Sequence, residues 1–412
     1  MSDAPSCRFC GAPLTHTFAD LGSMPLAKKY IKQADLDAGK EKPLPLHTRV
    51  CEACLLVQAD DPMDAAEIFD DSYAYFSSYS DSWVAHAKRY AEAMIDRLHL
   101  GPDSLVVEIA SNDGYLLQHF VARGIPALGI EPAENCADAA RARGVESEVA
   151  FFNAATATRL AERGLKADLM LGNNVLAHVP DIRDFLGGFP IMLKPEGTLT
   201  FEFPHLLNLI EQVQFDTIYH EHFSYLSLLI VEKALAAVGM RAYDVEELPT
   251  HGGSLRVFCC HEGASLAAQP GLQRVRDKEA AAGLDRIETY DGFSARIEET
   301  RKSFRAFLDQ AASEGKRIAG YGAAAKGNTF LNVCGVGAGD IVCVFDRNPH
   351  KQDRLLPGSH IPVLDPSAID EVRPDYLLIL PWNLKDEVMA SFSRISDWGG
   401  RFVTAIPDTR VL

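Results

Sequence analysis

Runs of apolar, often β-branched residues recur through the middle of the chain, each closed by a polar turn. The run at residues 104–110 (S-L-V-V-E-I-A) is almost continuously apolar, which is typical of a parallel strand buried on both faces. A helix is expected at residues 116–123. Further strands are predicted at residues 125–130, 167–174 and 198–203, with a closing antiparallel hairpin at residues 241–248 and 254–260. This alternation of strands and helices predicts a doubly wound α/β domain.

The same pattern starts again near residue 317, after a polar, helix-prone segment at residues 265–308. Strands are predicted at residues 317–322, 340–345, 375–381 and 401–406, and a turn (A-A-A-K-G-N) at residues 323–328 follows the first of them. The chain is therefore expected to have three parts: an N-terminal module at residues 1–75, an α/β domain at residues 76–264, and a bridging helix with a second Rossmann-like α/β domain at residues 265–412.

Two C-x-x-C pairs mark the N-terminal module. A C-x-x-C turn brings two thiolates to one ion, and two such turns complete a tetrahedral site of four sulfurs. Thiolate softness and this geometry favour zinc, with a structural role because no coordination position stays open. A redox C-x-x-C is disfavoured, since neither pair opens a helix after a buried strand. The ligands are predicted to be Cys7, Cys10, Cys51 and Cys54.

The composition narrows the possible functions. The net charge of −17 over 412 residues argues against a nucleic-acid surface, because binding to phosphate backbones rests on Lys and Arg. No apolar signal segment and no stretch of about 18 apolar residues is present, so no membrane association and a cytoplasmic location are expected. The nine cysteines then read as metal ligands and free thiols.

The turn after the first strand is suited to a small ligand. Small residues in E-I-A-S-N-D-G-Y allow close approach of the backbone, and Glu131, at the end of the second strand, can accept both hydroxyls of a ribose. The turn lacks G-x-G-x-x-G, but it resembles motif I of class I methyltransferases, which bind S-adenosylmethionine (SAM). The expected SAM residues are Glu108, Ala110, Asn112, Asp113, Gly114, Tyr115, Leu116, Glu131, Pro132, Asn153, Asn173 and Asn174.

Residues 215–227, the run F-D-T-I-Y-H-E-H-F-S-Y-L-S, contain many polar and aromatic side chains. Such a run is unfavourable in a hydrophobic core, because buried polar groups cost free energy unless they are paired. Methylation of carbon needs a carbanion, and a base can make one from a C–H beside a ketone if a donor holds the oxygen. A histidine is matched to neutral pH for that task, and a tyrosine can donate to the oxyanion. A metal site at H-E-H is a weaker alternative, because the i, i+4 spacing of H-E-x-x-H is missing.

Nearly the whole chain resembles the sugar C-methyltransferases of deoxysugar biosynthesis. The resemblance rests on the C-x-x-C pairs, E-I-A-S-N-D-G-Y, G-N-N-V-L-A-H-V-P-D, the Y-H-E-H run, H-G-G-S-L-R-V-F and Y-G-A-A-A-K-G-N. It implies methylation of a nucleotide-linked keto-sugar, commonly at carbon 3, with SAM in the middle domain. The implied fold is a class I methyltransferase Rossmann-like domain with an N-terminal zinc-binding module and a second C-terminal Rossmann-like α/β domain.

The resemblance also implies roles for individual residues. His222 is expected to be the base, with Tyr219 and Glu221 acting on the sugar, although His220 or His178 stay open as the base. The expected substrate residues are Tyr73, Tyr79, His178, His220, Tyr225, Lys326 and Asn328, with Lys326 as counter-charge to a phosphate. The second α/β domain could instead be a packing partner alone.

Other functions stay open at this stage. O- or N-methylation of a sugar or other small metabolite would use a similar site, and a non-catalytic zinc-containing scaffold with a relic SAM fold would not turn over. The partner is expected to be a dTDP-linked or similar keto-sugar, and the chain a monomer or small homo-oligomer.

Overall fold

The computed structural model describes residues 5–60 and 76–412, so Tyr73 lies outside the described residues. The strands are β1 (His16–Met24), β2 (Leu44–Val50), β3 (Val57–Ala59), β4 (Val106–Ile109), β5 (Ala127–Ile130), β6 (Glu146–Glu148), β7 (Ala167–Asn173), β8 (Leu193–Pro204), β9 (Ser224–Tyr225), β10 (Met240–Leu248), β11 (Ser254–His261), β12 (Ile318–Tyr321), β13 (Val344–Phe345), β14 (Val363–Leu364), β15 (Tyr376–Ile379), β16 (Arg401–Thr404) and β17 (Arg410–Val411).

The helices are α1 (Gln33–Asp37), α2 (Asp81–Leu98), α3 (Gln118–Val121), α4 (Glu134–Ala142), α5 (Ala154–Glu162), α6 (Ile182–Met192), α7 (Leu206–Glu211), α8 (Leu228–Ala236), α9 (Pro270–Ala282), α10 (Phe293–Ser313), α11 (Ala325–Val333), α12 (Ile369–Val372) and α13 (Lys385–Ser391). Several begin at side-chain caps. The Ser80 hydroxyl accepts the Trp83 amide at the start of α2, and the Asn153 side chain accepts the Thr156 amide at the start of α5.

The N-terminal module is a four-stranded sheet in the order β1-β2-β3-β9. Alternate residues of β2 (Leu46, Thr48 and Val50) are buried, as expected for a strand with one face on a core. The fourth strand, β9, pairs antiparallel with β3 and comes from the middle of the chain, directly after the Y-H-E-H run. The module is therefore completed by the segment that carries the predicted base.

The middle domain is a seven-stranded sheet in the order β6-β5-β4-β7-β8-β11-β10. Strands β4 to β8 are parallel, whereas β11 runs antiparallel between β8 and β10. All residues of β4 and β5 are buried, which explains their nearly continuous apolar sequence. The strand order reverses between β4 and β7, and ligands of open α/β sheets bind at the carboxyl ends of strands at such a point.

The C-terminal sheet has the order β14-β13-β12-β15-β16-β17, and it reverses between β12 and β15. It is parallel except for β17. Two details correct the sequence predictions. The strand expected at residues 340–345 is confined to β13, and the turn after β12 is shorter than expected, because α11 begins at Ala325. Lys326 and Asn328 therefore lie in the first turn of a helix.

The bridging segment contains two α-helices, α9 and α10, with a short 3-10 helix at Ile287–Tyr290 between them. Phe18 of β1 stacks on Phe293 of α10 with ring centroids 4.5 Å apart, and Phe304 of the same helix packs against Phe330 of α11. Helix α10 thus fills the space between the zinc module and the C-terminal domain. Among residues 5–60 and 76–412, no helix has the length and apolar character that crossing a membrane requires.

Candidate active site

The turn after β4 has the backbone geometry of a close ligand approach. Ala110 and Asn112 adopt left-handed conformations (φ 54° and 50°), as does Gly114 (φ 74°). A Cβ on Gly114 would lie 3.1 Å from the Ala140 side chain, so a larger residue would push α4 away from the turn. Glycine is therefore required here both for conformation and for space.

Glu131 anchors this turn. Its Oε2 accepts the Asn112 amide at 2.8 Å and its Oε1 accepts the Ala133 amide at 2.9 Å. Burial raises the pKa of the Glu131 carboxyl, and the two amide hydrogen bonds act in the opposite direction. A carboxylate has about four acceptor positions, so two remain for the ribose hydroxyls that the sequence assigns to it.

The remaining expected SAM residues lie in β4 and β7 or in the segments that follow β4, β5, β6 and β7. Pro132 follows Glu131, Tyr115 and Leu116 are buried, and Asn174 adopts a left-handed conformation after β7. Asn153 caps α5. Within the described part of the chain, several buried polar atoms here have no hydrogen-bond partner: Glu108 Oε2, Asp113 Oδ1, Asn173 Oδ1 and Asn174 Oδ1. A buried acceptor without a hydrogen bond destabilises the folded protein. A ligand with several hydrogen-bond donors, such as SAM, would provide the missing partners.

Residues that the sequence did not identify hold the same turn from outside. Arg143 forms an ion pair with the fully buried Asp113 (2.7 Å) and also contacts Ser78. The Asn112 side chain accepts the Ser77 amide at 2.8 Å. The start of α2 is thus fastened to the motif I turn, a contact between distant segments that no local pattern signals.

The four cysteines of the N-terminal module converge as predicted. Their sulfurs all lie within 4.8 Å of one another, with Cys7 and Cys54 at 3.6 Å and Cys10 and Cys51 at 3.5 Å. Zn–S bonds of about 2.3 Å in a tetrahedron give S–S distances of ~3.8 Å, so the donor set fits one zinc ion. The Gln58 side chain donates to the Cys7 sulfur at 3.1 Å, which favours its thiolate form.

The Y-H-E-H run lies against the loop after β7. The Phe223 amide donates to the Ala177 carbonyl at 2.8 Å, which places the run at the carboxyl end of the sheet, where the SAM turn also lies. The His178 and His222 rings meet edge to face, with centroids 4.7 Å apart, and the Tyr219 ring lies 3.9 Å from that of His222. His178, Tyr219 and His222 therefore lie side by side at this end of the sheet.

Hydrogen bonds define the protonation of both histidines. His178 Nδ1 lies 2.7 Å from the Glu221 carbonyl oxygen, and His222 Nδ1 lies 2.9 Å from that of Thr217. A carbonyl oxygen only accepts, so each Nδ1 carries a proton and each Nε2 keeps its lone pair when the ring is neutral.

The surroundings keep the rings neutral. Burial, followed by the charges of His178 and Lys28, lowers the pKa of His222 well below its usual value, and the nearby His251 acts in the same direction. Burial, followed by Lys28, lowers the pKa of His178 to about 4. A neutral His222 with an unprotonated Nε2 has the protonation state that a general base requires, and the lowered pKa makes this nitrogen a weaker base than an exposed histidine.

Glu221 is paired with a residue that the sequence reading did not single out. Lys28, from the zinc module, donates to the Glu221 carboxylate, whose side chain is only 8% exposed. The Lys28 ammonium also lies 6.0 Å from the Tyr219 ring centroid. The pair joins segments 193 residues apart, so only the three-dimensional structure reveals it.

His220 and Tyr79 make contacts outside this cluster, whereas Tyr225 lies beside His222. His220 Nε2 lies 3.2 Å from the Leu44 carbonyl oxygen, towards the zinc module. Tyr79 is 66% exposed and packs on Phe76. Tyr225 lies on β9, with its ring 6.2 Å from that of His222. Over the ranges that the structure describes, the cysteines are the cluster that meets metal-ligand geometry, so the H-E-H metal alternative finds no structural support.

Lys326 and Asn328 lie in an interface between domains. The Lys326 ammonium donates to the Asn383 side chain at 2.8 Å and lies over the Trp382 ring, whose Nε1 donates to Asp216 at 2.7 Å. Asn328 donates to the Ala27 carbonyl. Burial lowers the pKa of Lys326 and raises that of Asp216 to about 6. These contacts link β15, the Y-H-E-H segment and the zinc module; a phosphate contact stays a prediction.

Three sequence families match successive parts of the chain. They are described as "Putative zinc binding domain" at residues 7–69, "Methyltransferase domain" at residues 83–245 and "C-methyltransferase C-terminal domain" at residues 249–407.

Among curated proteins, C-methyltransferase NovU of Streptomyces niveus is 36% identical over 406 residues, covering 98% of this chain and 96% of its own. A ubiquinone biosynthesis O-methyltransferase of Bartonella bacilliformis is 30% identical over 95 residues, covering 23% of this chain and 38% of its own. A solved structure, magnesium protoporphyrin IX methyltransferase of Synechocystis PCC 6803 with bound SAM, is 15% identical, with 48% of this chain and 88% of its own matched at a TM-score of 0.33, which is too low to support a conclusion.

The full-length match to NovU agrees with the strand order of the middle sheet, the converging cysteines and the motif I turn. The chain is a SAM-dependent, zinc-binding methyltransferase and belongs to the C-methyltransferase family.

Proposed function

We propose that the methyl acceptor is a carbon next to the ketone of a nucleotide-linked keto-deoxysugar, commonly carbon 3, and that the sugar carries dTDP or a similar nucleotide. The observation that carries this proposal is the contact between a neutral His222, with its unprotonated Nε2, and the Tyr219 ring. A base is needed for methylation of carbon, because a C–H bond is not nucleophilic until its proton leaves.

In this mechanism His222 Nε2 removes the proton next to the ketone. The Tyr219 hydroxyl donates to the enolate oxygen that forms, and Glu221 orients the sugar. SAM bound at the neighbouring cleft supplies an electrophilic methyl group. His222 keeps the proton on Nε2 until release to water restores the neutral ring. O- or N-methylation and the scaffold alternative both fit poorly with membership of a C-methyltransferase family.

The nucleotide is proposed to lie between the middle and C-terminal domains. Lys326 follows the turn after β12, beside the reversal point of the C-terminal sheet, which supports this position. Tyr73, Tyr79, His178, His220 and Tyr225 remain proposed contacts to the substrate. The division at residues 75 and 264, action in the cytoplasm and a monomer or small homo-oligomer are part of the same proposal.

Hydrogen exchange at the substrate carbon tests the mechanism directly. With S-adenosylhomocysteine bound, wild-type enzyme in D₂O should exchange the hydrogen next to the ketone of a dTDP-linked 4-keto-6-deoxyhexose. His222→Asn should lower exchange and turnover by roughly 10²–10⁴-fold, the usual range for a general base, and should leave SAM affinity near wild type.

His220→Asn is the matched control, because His220 belongs to the same run but contacts Leu44. It should retain exchange. Exchange that survives in His222→Asn and disappears in His220→Asn or His178→Asn would move the base to that residue. A product with the methyl on oxygen or nitrogen would refute C-methylation of a keto-sugar altogether.

A further inference from the structure

A strap from the zinc module, defined here as residues 25–31, crosses between the other two domains. The Ala27 carbonyl accepts the Asn328 side chain of α11, and the Tyr30 hydroxyl donates to the Ala323 carbonyl after β12. Ile31 exchanges two backbone hydrogen bonds with Leu355, at 3.1 and 2.8 Å. The strap is therefore held at several points along its length, on both sides of residue 28.

That side chain is Lys28. Its ammonium reaches the Y-H-E-H run and donates to the nearly buried Glu221, although 32% of the Lys28 side chain remains exposed. The Glu221 backbone carbonyl accepts the His178 ring, and the next residue is His222. A partly exposed cation, held by a buried carboxylate, thus lies at the edge of the proposed catalytic cluster.

The charges of the cluster are arranged for enolate formation. His178 and His222 are neutral at neutral pH, because burial and the Lys28 charge lower the pKa of each ring. The Tyr219 ring is close to both the base and the cation, 3.9 Å from the His222 ring and 6.0 Å from the Lys28 ammonium. A fixed positive charge in a partly desolvated site stabilises a developing oxyanion more than a neutral hydroxyl does alone.

We propose that Lys28 is a catalytic residue contributed by the zinc module, and that its ammonium binds the oxygen of the enolate formed from the keto-sugar. This inference rests on the proposed function.

The proposed step is balanced without a further reactant. The C–H bond next to the ketone breaks, its proton goes to His222 Nε2, and its electron pair forms the C=C bond of the enolate. The carbonyl π pair moves to oxygen, where the Lys28 ammonium holds it by a charged hydrogen bond while remaining protonated. The C=C electron pair would then form the bond to the methyl group of SAM, whose S–CH3 bond would break with its pair left on the sulfur of S-adenosylhomocysteine. The C=O bond forms again, and the hydrogen bond returns to that of a neutral ketone.

A purely structural role makes a different prediction. If Lys28 only held Glu221 in place, any side chain that donates to the Glu221 carboxylate would be sufficient. Lys28→Gln keeps a donor without charge, Lys28→Arg keeps donors and charge, and Lys28→Met removes both. Lys29→Met is a matched control, since the adjacent Lys29 is exposed.

The experiment measures deuterium exchange into dTDP-, UDP- and GDP-linked 4-keto-6-deoxyhexoses with S-adenosylhomocysteine bound, for wild type and the four variants. Lys28→Met and Lys28→Gln should lose roughly 10²–10³-fold in exchange rate, the usual effect of removing one oxyanion donor. Lys28→Arg should recover at least about tenfold of that loss, and Lys29→Met should match wild type. Calorimetric SAM affinity and zinc content should be unchanged in all variants, which shows that the fold is intact.

Two results overturn the inference and are distinguishable. Wild-type exchange rates in Lys28→Gln show that the charge is not needed, and this conclusion stands even if Lys28→Met fails to fold. Wild-type enzyme that binds SAM but exchanges none of the sugar probes overturns the proposed function itself, and this inference with it.

Discussion

Glu131→Gln is the sharpest test of the SAM site, because the structure shows what each oxygen of this carboxylate does. Oε2 accepts the Asn112 amide at 2.8 Å and Oε1 accepts the Ala133 amide at 2.9 Å. Glutamine has nearly the same size, but its NH₂ group cannot accept. One of the two backbone amides would therefore face another donor, and the turn after β4 would lose half of its anchor.

The substitution should have two separate effects. A buried amide without an acceptor costs about 1–3 kcal/mol in the free energy of unfolding. Loss of the charge also weakens the hydrogen bonds from the ribose hydroxyls, which are worth roughly 1.5–3 kcal/mol when the acceptor is ionised. Since ~1.4 kcal/mol corresponds to a factor of ten, SAM affinity should fall at least about tenfold.

Calorimetric titration with SAM and denaturant unfolding measure these effects independently. Glu134→Gln provides a matched control, because Glu134 is exposed in the first turn of α4 and the substitution removes the same charge. Glu134→Gln removes a negative charge that is favourable at a helix N-terminus, so it should lower the free energy of unfolding by no more than about 1 kcal/mol. Its SAM affinity should equal that of the wild type. If Glu131→Gln binds SAM with wild-type affinity, the ribose lies elsewhere.

Three further predictions follow from the site. Cys51→Ser should lower the zinc content from about one ion per chain and reduce the melting temperature, as measured by metal analysis and calorimetry. A wild-type protein without zinc, together with a Cys51→Ser variant of unchanged stability, would contradict the zinc site. Lys326→Met should raise the Michaelis constant for the sugar nucleotide and leave SAM affinity unchanged. If the kinetics are unchanged, Lys326 does not bind the nucleotide and serves only in contacts between domains. Because the pKa of His222 is lowered, its ring stays neutral to a lower pH than an exposed histidine does. The acid limb of the plot of log(kcat/KM) against pH should therefore be centred below pH 6.5, and a limb centred above 6.5 would contradict a buried base.

The features that the sequence predicted well are local in the chain. The strands of the middle sheet, the C-x-x-C turns and the E-I-A-S-N-D-G-Y turn each depend on neighbouring residues, whose periodicity and spacing are visible in one dimension. The acid at the end of the second strand follows from the same logic. In the C-terminal domain the prediction was poorer, because β13 has only two residues and the A-A-A-K-G-N segment suits a helix start as well as a turn.

The features that were missed depend on contacts between distant segments. The Lys28–Glu221 ion pair and the Arg143–Asp113 ion pair have no signature in either partner's own neighbourhood. Lys326 illustrates the same limit: its contact with a phosphate stays a prediction, and the sequence did not reveal that its ammonium contacts Asn383 and Trp382. Burial and partner choice are tertiary properties, and a single sequence without its fold does not determine them.

The zinc module and the proposed catalytic run form one structural unit. Strand β9 is the fourth strand of the module's sheet, and it begins two residues after His222. Lys28 of the module in turn forms an ion pair with Glu221 of the catalytic run. The module and the run therefore each help to position a charged or basic group of the other. Four thiolates give zinc no open position for chemistry, but the metal fixes the turns from which β1, β2 and β3 extend. Loss of zinc should therefore disturb His222 and Lys28 together while the SAM turn after β4 keeps its own anchors, Glu131 and Arg143.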